Sequence, residues 1–241
     1  MKGLIIAAGR GSRLSHISDL KPLTLLDDIP LLEHVMLSAV KGGVDGFVVV
    51  TGYRSQDLLR FLDEVRSRRN LEIEVLHNGE WEKSNGLSVL KAKGHLQEKF
   101  VLLMADHVFD PAIVADLREI PLNRGEVVLA VDTRVDHNEL IDLEDVTRVQ
   151  CNNGRIVRIG KSLEDFDAFD TGMFLCTPAI FPALEQSIQA GDSSLSGGIQ
   201  ALADRGKAKV MDIGARLWVD VDDEPALYKA FRVIRGLPLG F

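Results

Sequence analysis

The chain of 241 residues has only two cysteines, Cys151 and Cys176. Two thiols cannot by themselves build a structural zinc site, and nothing near either stands at zinc-ligand spacing. No disulfide is indicated, and reduced thiols in the core are expected. Basic residues are in deficit, with 28 Lys and Arg against 36 Asp and Glu and a formal charge of -8. That sign disfavours non-specific contact with nucleic acid or an anionic membrane, both of which attract basic surfaces. Any phosphate this chain handles must therefore meet a local cluster of cations. No apolar run approaches the ~20 residues of a membrane span, so no direct membrane insertion is expected. The run Leu4–Ala8 is too short for a signal peptide and is followed at once by Arg10 and Arg13. A cytoplasmic enzyme is the resulting expectation. Internal repeats, low-complexity tracts and Pro/Gly linkers are missing as well.

What is present is an ordinary globular composition, 46% hydrophobic and 27% charged. Short apolar runs alternate with amphipathic stretches, the pattern of an α/β protein whose mostly parallel central sheet is flanked by helices. The strands are expected at Gly3–Ala8, Gly46–Thr51, Glu72–His77, Phe100–Ala105 and Val127–Asp132. Helices are expected around Leu31–Lys41, Gln56–Ser67, Leu87–Lys93 and Pro111–Glu119. The later part is richer in β-structure. Val146–Gln150 and Arg155–Ile159 flank the turn signal Asn152-Asn153-Gly154 and suggest a hairpin. A strand at Phe169–Leu175 precedes a helix entered through Pro178, and Val210–Ile213 with Leu217–Val221 reads as a final short pair before a helix from Glu224 to about Arg235. One domain over 1–241 is expected, with a nucleotide-binding half (about 1–135) and a small β-rich acceptor-binding half (about 136–241).

The stretch Leu4–Leu14 is the most informative. An apolar strand runs into Gly9 and Gly11, spaced by one residue, with Arg10 and Arg13 interleaved and Lys21-Pro22 a short loop away. Glycines permit positive φ and close approach, so successive amides can point at phosphate oxygens. The arginines and Lys21 would add charge-assisted contacts. A dinucleotide fingerprint would place Gly or Ala where Leu14 stands, and a Walker loop would require Gly-Lys-Ser/Thr; neither is present. A plain strand-to-helix turn with solvated arginines is the competing reading of the loop alone.

Acidic residues supply the complementary chemistry. Asp106 follows the apolar strand at its carboxyl end, where α/β sheets bind ligands. Carboxylate oxygen matches a hard cation, and Mg2+ often takes only one or two such ligands alongside phosphates and water. A second candidate is Trp218–Asp223, where alternation puts Asp220 and Asp222 on one face. A helix N-cap is the other reading for Asp222 and the stronger one for Asp223. The acidic run Glu139–Asp145 reads as a solvated loop without a role. His107 beside Asp106 reads as a positioning residue, with a catalytic role the competing reading, and the scattered His16, His34, His77, His95 and His137 as structural or solvated.

Leu4–Leu14, Lys21-Pro22, Asn85–Ser88, Ala105–His107, Asp170–Gly172 and Trp218–Asp222 together resemble the nucleotidyltransferases that activate sugar phosphates. Within them the Ala-Asp-His tripeptide and the Asp-Thr-Gly-Met-Phe-Leu-Cys-Thr run are similar to the CTP:inositol-1-phosphate cytidylyltransferases. The resemblance implies a Rossmann-like nucleotidyltransferase fold and a Mg2+-dependent transfer from CTP to inositol-1-phosphate, yielding CDP-inositol and pyrophosphate. It implies that Ala8, Gly9, Gly11, Ser12 and Arg13 wrap the triphosphate and that Lys21 contacts the α-phosphate and the acceptor phosphate. Asp106 would ligate the metal with Asp220, although many relatives have Gly in place of Asp222, so Asp222 could share or take over that role. Lys161 would grip the acceptor phosphate, and Asp170 and Gly172 would line the acceptor pocket. Asn78, Asn85, Gly86 and Ser88 would lie along the nucleotide cleft. Some inositol cytidylyltransferases are fused to a membrane-bound transferase; here the product would pass to a separate downstream one. Other acceptors remain open at this stage, a hexose-1-phosphate or phosphocholine, as does a catalytically inactive regulatory relative. Phosphocholine would call for aromatic faces, and aromatics are only 6% of the chain.

Overall fold

The apolar runs become strands and the amphipathic stretches become helices, layered as the alternation requires. The computed structural model describes residues 1–136 and 140–237. In chain order these form β1 (Lys2–Ala7), β2 (Leu25–Leu26), β3 (Ile29–Pro30), α1 (Leu31–Lys41), β4 (Gly46–Thr51), α2 (Ser55–Arg69), β5 (Glu72–His77), α3 (Gly86–Lys91), β6 (Phe100–Met104) and β7 (His107–Phe109). There follow α4 (Pro111–Glu119), β8 (Val127–Asp132), β9 (Arg148–Asn152), β10 (Arg155–Gly160), β11 (Ala168–Cys176), α5 (Ile180–Gln189), α6 (Leu195–Ala203), β12 (Ala208–Asp212), β13 (Trp218–Asp220) and α7 (Glu224–Ile234).

Successive residues of a strand serve opposite faces, so a strand between two helix layers must be apolar throughout. In β1, Ile5 and Ala7 join Phe47, Val49, Val101 and Leu103 in a core covered by α1, α2 and α4. Leu4 and Ile6 join Val48, Val50, Phe100 and Leu102 in a second core covered by α3, α5 and α6. Leu4 and Ile5 are both fully buried, and such burial stabilises by about 1.5–3 kcal/mol per side chain. A third cluster, with Leu14, Leu26, Val108, Val219 and Val221, lies under α7.

The main sheet has nine strands in the order β5-β4-β1-β6-β11-β8-β12-β10-β9. Only β11 and β10 run against the others. Strand β1 has β4 on one side and β6 on the other, so the chain reverses its winding there. That reversal opens a crevice at the carboxyl ends of β1 and β6. The outer strand β9 also bonds back to β11, which curls the second half of the sheet on itself. Among the described residues no helix is long and apolar enough to cross a membrane.

The expected hairpin forms as β9–β10, with Asn153 and Gly154 both at positive φ in its two-residue turn; that geometry matches the right-handed twist of the strands. Helix α6 was not foreseen, because Gly197 and Gly198 depress helix propensity. Those glycines are required by packing: a Cβ at Gly197 would lie 2.4 Å from Ser187 Oγ, and one at Gly198 2.5 Å from Leu184 Cδ2, both on α5. The final pair is corrected. Strand β12 joins the main sheet beside β8, while β13 pairs with β7 in a separate ribbon. Alternation identified both as strands but carries no information about which partner edge each meets.

Candidate functional site

The glycine loop leaves β1 at the crevice. Gly11 stands at φ 65° and caps the short 3-10 turn Ser12–Leu14, a left-handed conformation that glycine adopts without the usual Cβ clash. A Cβ at Gly11 would lie 2.3 Å from Lys21 Cβ, so the lysine stem rests directly on the glycine. Leu14 is fully buried and anchors the turn from below. At Gly9 the case differs: a Cβ would meet no atom of the described residues within 4 Å. Ala8 is buried and its carbonyl accepts the Tyr53 N–H at 2.9 Å, while Ser12 is exposed.

Strand β6 ends at Met104, and a turn through Ala105 and Asp106 leads into β7 rather than prolonging the strand. The β7–β13 ribbon sets Asp220 directly opposite His107, and the Val221 N–H donates to the Asp106 carbonyl at 3.0 Å. Two distant acidic segments thereby meet. Lys21 is buried between them, its Nζ donating to Asp106 Oδ2 at 2.5 Å and to Asp222 Oδ1, with Asp220 Oδ1 at 3.8 Å. Arg13 donates to Asp222 Oδ2 at 2.6 Å and also to Asp145. His107 Nδ1 lies 3.0 Å from Asp106 Oδ1 and 3.6 Å from Asp220 Oδ1.

The His107 ring is fixed on two sides. It stacks on Trp218, with centroids 5.8 Å apart and planes 24° from parallel. A Cβ at Gly172 would lie 2.7 Å from its Nε2. Gly172 sits at φ 73°, inside an irregularity of β11 between Asp170 and Phe174. Behind the stack, Trp218 Nε1 donates to Asp132 Oδ2 at 3.0 Å, and Arg134 holds the same carboxylate.

Electrostatics follow from this crowding. Burial pushes the Lys21 ammonium down, but Asp106, Asp220 and Asp222 outweigh it and hold Lys21 above its ordinary range. Burial raises Asp106, yet Lys21 and His107 carry it well below the carboxylate range. For His107 burial acts downward, while Asp220 and Asp106 lift it to about 9. Asp220 is pushed up, first by burial and then by the neighbouring Asp106 and Asp222 charges, against His107 and Lys21. Burial also lifts Asp170 to about 6, against its hydrogen bond from the Gly172 N–H.

Asp106, His107 and Asp220 each offer a ligand atom, all within 4.8 Å of one another. Asp220 Oδ1 is buried with no hydrogen-bond partner among the described residues. A shielded carboxylate oxygen lacking a donor, beside a second carboxylate, fits a hard divalent cation. Asp222 differs, because both its oxygens are already taken by Lys21 and Arg13.

A cavity of about 630 Å³ adjoins this cluster, lined by Asp106, Asp170, Gly172, Lys161, Asn85 and Asp222 among others. Of the sequence-predicted residues, Asn85, Asp106, Lys161, Asp170, Gly172, Asp220 and Asp222 line it, and Arg13 and Lys21 bond to its carboxylates. The glycine-loop residues Ala8, Gly9, Gly11 and Ser12 do not line it, and neither do Asn78, Gly86 and Ser88. Asn78 is buried, its Nδ2 donating to Ser88 Oγ at 3.0 Å and its Oδ1 accepting the Glu80 N–H. Gly86 is tightly packed too, since a Cβ there would lie 2.6 Å from the Ser193 carbonyl oxygen. These three brace the start of α3, whereas Asn85 Oδ1 accepts the Leu195 N–H at 2.9 Å at the cavity edge. Asp223 is the N-cap of α7, accepting the Ala226 N–H at 2.8 Å.

The sequence reading missed Asp145, which pairs with both Arg13 and Lys161 although its acidic run was assigned no role. Glu139 of that run and His137 lie outside the described residues. No local signal marks Asp145, because its partners are remote in the chain. Both cysteines are free, Cys176 buried and Cys151 half-buried. His34 and His95 make contacts away from this site, with the Leu26 carbonyl and Glu74 respectively.

A crevice at the sheet's winding reversal, lined by cations and paired carboxylates, defines a phosphate-handling α/β domain. The chain belongs to the MobA-like NTP transferase domain family, whose model matches residues 3–205. It is 34% identical to the "Bifunctional IPC transferase and DIPP synthase" of Rubrobacter xylanophilus, over 96% of this chain and 51% of that protein. It is 31% identical to the protein of the same name from Aquifex aeolicus, over 99% of this chain and 54% of the relative. The chain therefore spans about half the length of these curated relatives. Among solved structures, the inositol-1-phosphate CTP transferase from T. maritima superposes with a TM-score of 0.83 at 29% identity, covering 98% of this chain and 97% of that one.

Proposed function

We propose that this chain transfers a cytidylyl group from CTP to inositol-1-phosphate, giving CDP-inositol and pyrophosphate with Mg2+ as the metal. The observation that carries the substrate pair is the near full-length likeness to the T. maritima inositol-1-phosphate CTP transferase. The name of the curated relatives, which begins with an IPC transferase, supports the same assignment.

In this reading an oxygen of the acceptor phosphate attacks the α-phosphorus of CTP in line. A new P–O bond forms as the bond to the bridging α–β oxygen breaks, and its electron pair leaves with pyrophosphate. A phosphate monoester is already ionised near neutral pH, so no strong base is required and catalysis rests on positioning and charge neutralisation. The amides of Gly9, Gly11 and Ser12 wrap the triphosphate, with Ala8 at the end of β1 and Arg13 on its outer phosphates. Gly9 supports this role, because the packing of the described residues gives no reason for a glycine there. Lys21, already poised between Asp106 and Asp222, meets the α-phosphate and the incoming phosphate.

Asp106 and Asp220 are the residues we assign to Mg2+. The buried Asp220 Oδ1, which accepts no hydrogen bond from the described residues, favours it over Asp222, whose oxygens serve Lys21 and Arg13. When bound there, the ion would neutralise charge on the transferring phosphates. His107 and Trp218 hold the two carboxylates in register. Lys161 takes the acceptor phosphate, Asp170 faces the polyol hydroxyls beside Gly172, and Asn85 borders the nucleotide.

The test is pyrophosphate release with Mg2+, for CTP, UTP, GTP, ATP and dTTP, each against inositol-1-phosphate, glucose-1-phosphate and phosphocholine. Release with CTP and inositol-1-phosphate alone, lost in Asp106→Ala, is the expected outcome. Turnover with another pair would retain the chemistry and discard these substrates. No release in any combination would overturn the enzymatic reading.

A further inference from the structure

The cations assigned to the two substrates are joined by one carboxylate. Arg13, on the loop after β1, and Lys161, just after β10, both donate to Asp145, Arg13 to Oδ2 and Lys161 to Oδ1. The loop that carries Asp145 is firmly built. Asp142 Oδ1 accepts the Glu144 N–H at 3.0 Å, and the Asp142 carbonyl accepts the Val146 N–H at 2.9 Å. Leu140 and Ile141 are buried in the core clusters on either side. Arg148 reaches back to the Leu143 carbonyl at 3.0 Å. Burial pushes the Asp145 carboxyl up, but its bonds from Lys161 and Arg13 prevail and hold it below the usual range. It is therefore ionised throughout the neutral range, and its two oxygens occupy donors that phosphate oxygens would need.

We propose that Asp145 is a built-in competitor for phosphate, a positioning residue that holds Arg13 and Lys161 together and must give them up when the substrates' phosphates bind. The inference rests on the functional reading for the phosphate roles of Arg13 and Lys161 and for the identity of those substrates. Both cations are substantially exposed, Arg13 at 48% and Lys161 at 61% of side-chain surface. Pairs of that kind are weak, so release of each cation should tighten phosphate binding by about two- to fivefold. Because the competitor acts on ground state and transition state alike, its removal lowers KM without raising kcat.

The experiment measures pyrophosphate and inorganic phosphate binding by calorimetry, with Mg2+ present, in the wild-type chain, Asp145→Asn and Asp145→Ser. Glu144→Gln removes an equal charge from the adjacent position, and Lys161→Gln removes one of the two partners. Tighter binding by about two- to fivefold in either Asp145 variant is expected, exceeding any gain in Glu144→Gln. In the Lys161→Gln background the inorganic phosphate gain should shrink. KM for both substrates should fall with kcat unchanged. Unchanged or weaker binding in both Asp145 variants, an equal gain in Glu144→Gln, or no measurable binding by any form would overturn the proposal. Binding requires no turnover, so a gain in affinity from a chain inactive with every substrate pair would refute the functional reading alone. Full activity without that gain would refute the competitor alone.

Discussion

Gly11→Ala isolates the geometry on which the site depends. The substitution places a methyl group 2.3 Å from Lys21 Cβ, 2.7 Å from Cδ and 2.9 Å from Cγ, all nearer than carbon atoms pack. The clash falls at the root of the side chain, so a rotation of its tip does not relieve it. Either the loop or the Lys21 backbone has to shift, by about 1 Å to restore an ordinary contact of ~3.5 Å. The left-handed backbone at φ 65° adds a cost of about 1–2 kcal/mol for any residue with a Cβ. For a chain of this size that stability loss alone lowers Tm by roughly 2–8 °C. The larger effect is on chemistry, because Lys21 Nζ is carried away from Asp106 and Asp222. A misplacement of about 1 Å costs on the order of 10²-fold in turnover. Pyrophosphate release and a thermal melt, run side by side at a temperature where the variant stays folded, separate the two effects. Gly9→Ala is the informative partner. Its new Cβ meets no atom of the described residues within 4 Å, so its Tm should hold while KM for the nucleotide rises. If Gly11→Ala keeps turnover within about threefold of wild type, well short of that loss, the argument that Gly11 exists to seat Lys21 is wrong.

Asp220→Ala should raise the Mg2+ concentration for half-maximal activity by at least about 10–100-fold, on the scale of perturbed metal sites. Asp222→Ala should leave that requirement nearly unchanged, because its oxygens serve Lys21 and Arg13; a Mg2+ titration showing the reverse pattern would exchange their roles. Far from the site, Glu126 is buried and accepts from Lys209 Nζ at 2.6 Å and from the Asn123 N–H at 2.9 Å. Burial pushes its carboxyl up, but those bonds outweigh it and hold it at about 2. A depressed carboxyl stabilises the fold above its unfolded value of about 4.3, and the contribution is lost as pH falls towards 2. Glu126→Gln should therefore cost roughly 1–3 kcal/mol at pH 7, with the difference from wild type closing between about pH 4.3 and 2. Urea midpoints at several pH values measure it, and a constant difference across that window would refute the linkage.

Much of the fold was legible because its signals are local. Runs such as Phe47–Val50 and Phe100–Leu103 are apolar at every position, as a strand covered on both faces requires. Asn153-Gly154 forecast its hairpin because few residues accept two successive positive φ angles. Legibility failed where a local rule was overridden from a distance. Gly197 and Gly198 argue against a helix, yet α6 forms because only glycine lets it lie so close to α5. Asn78 and Ser88 have polar side chains that suit a cleft, yet they are spent on each other inside the protein.

The site divides in the same way. The sequence by itself determined the glycine loop, the nearby Lys21 and the placing of Asp106 at the carboxyl end of an apolar strand, since each depends on neighbours a few residues away. Only the tertiary structure decided that β13 would meet β7 rather than β12, and so bring Asp220 opposite His107. Only it set Asp145 between Arg13 and Lys161. Periodicity specifies which face of a strand is buried but not which edge it joins, and a surface carboxylate reads the same in sequence whether it meets water or two cations folded in from elsewhere in the chain.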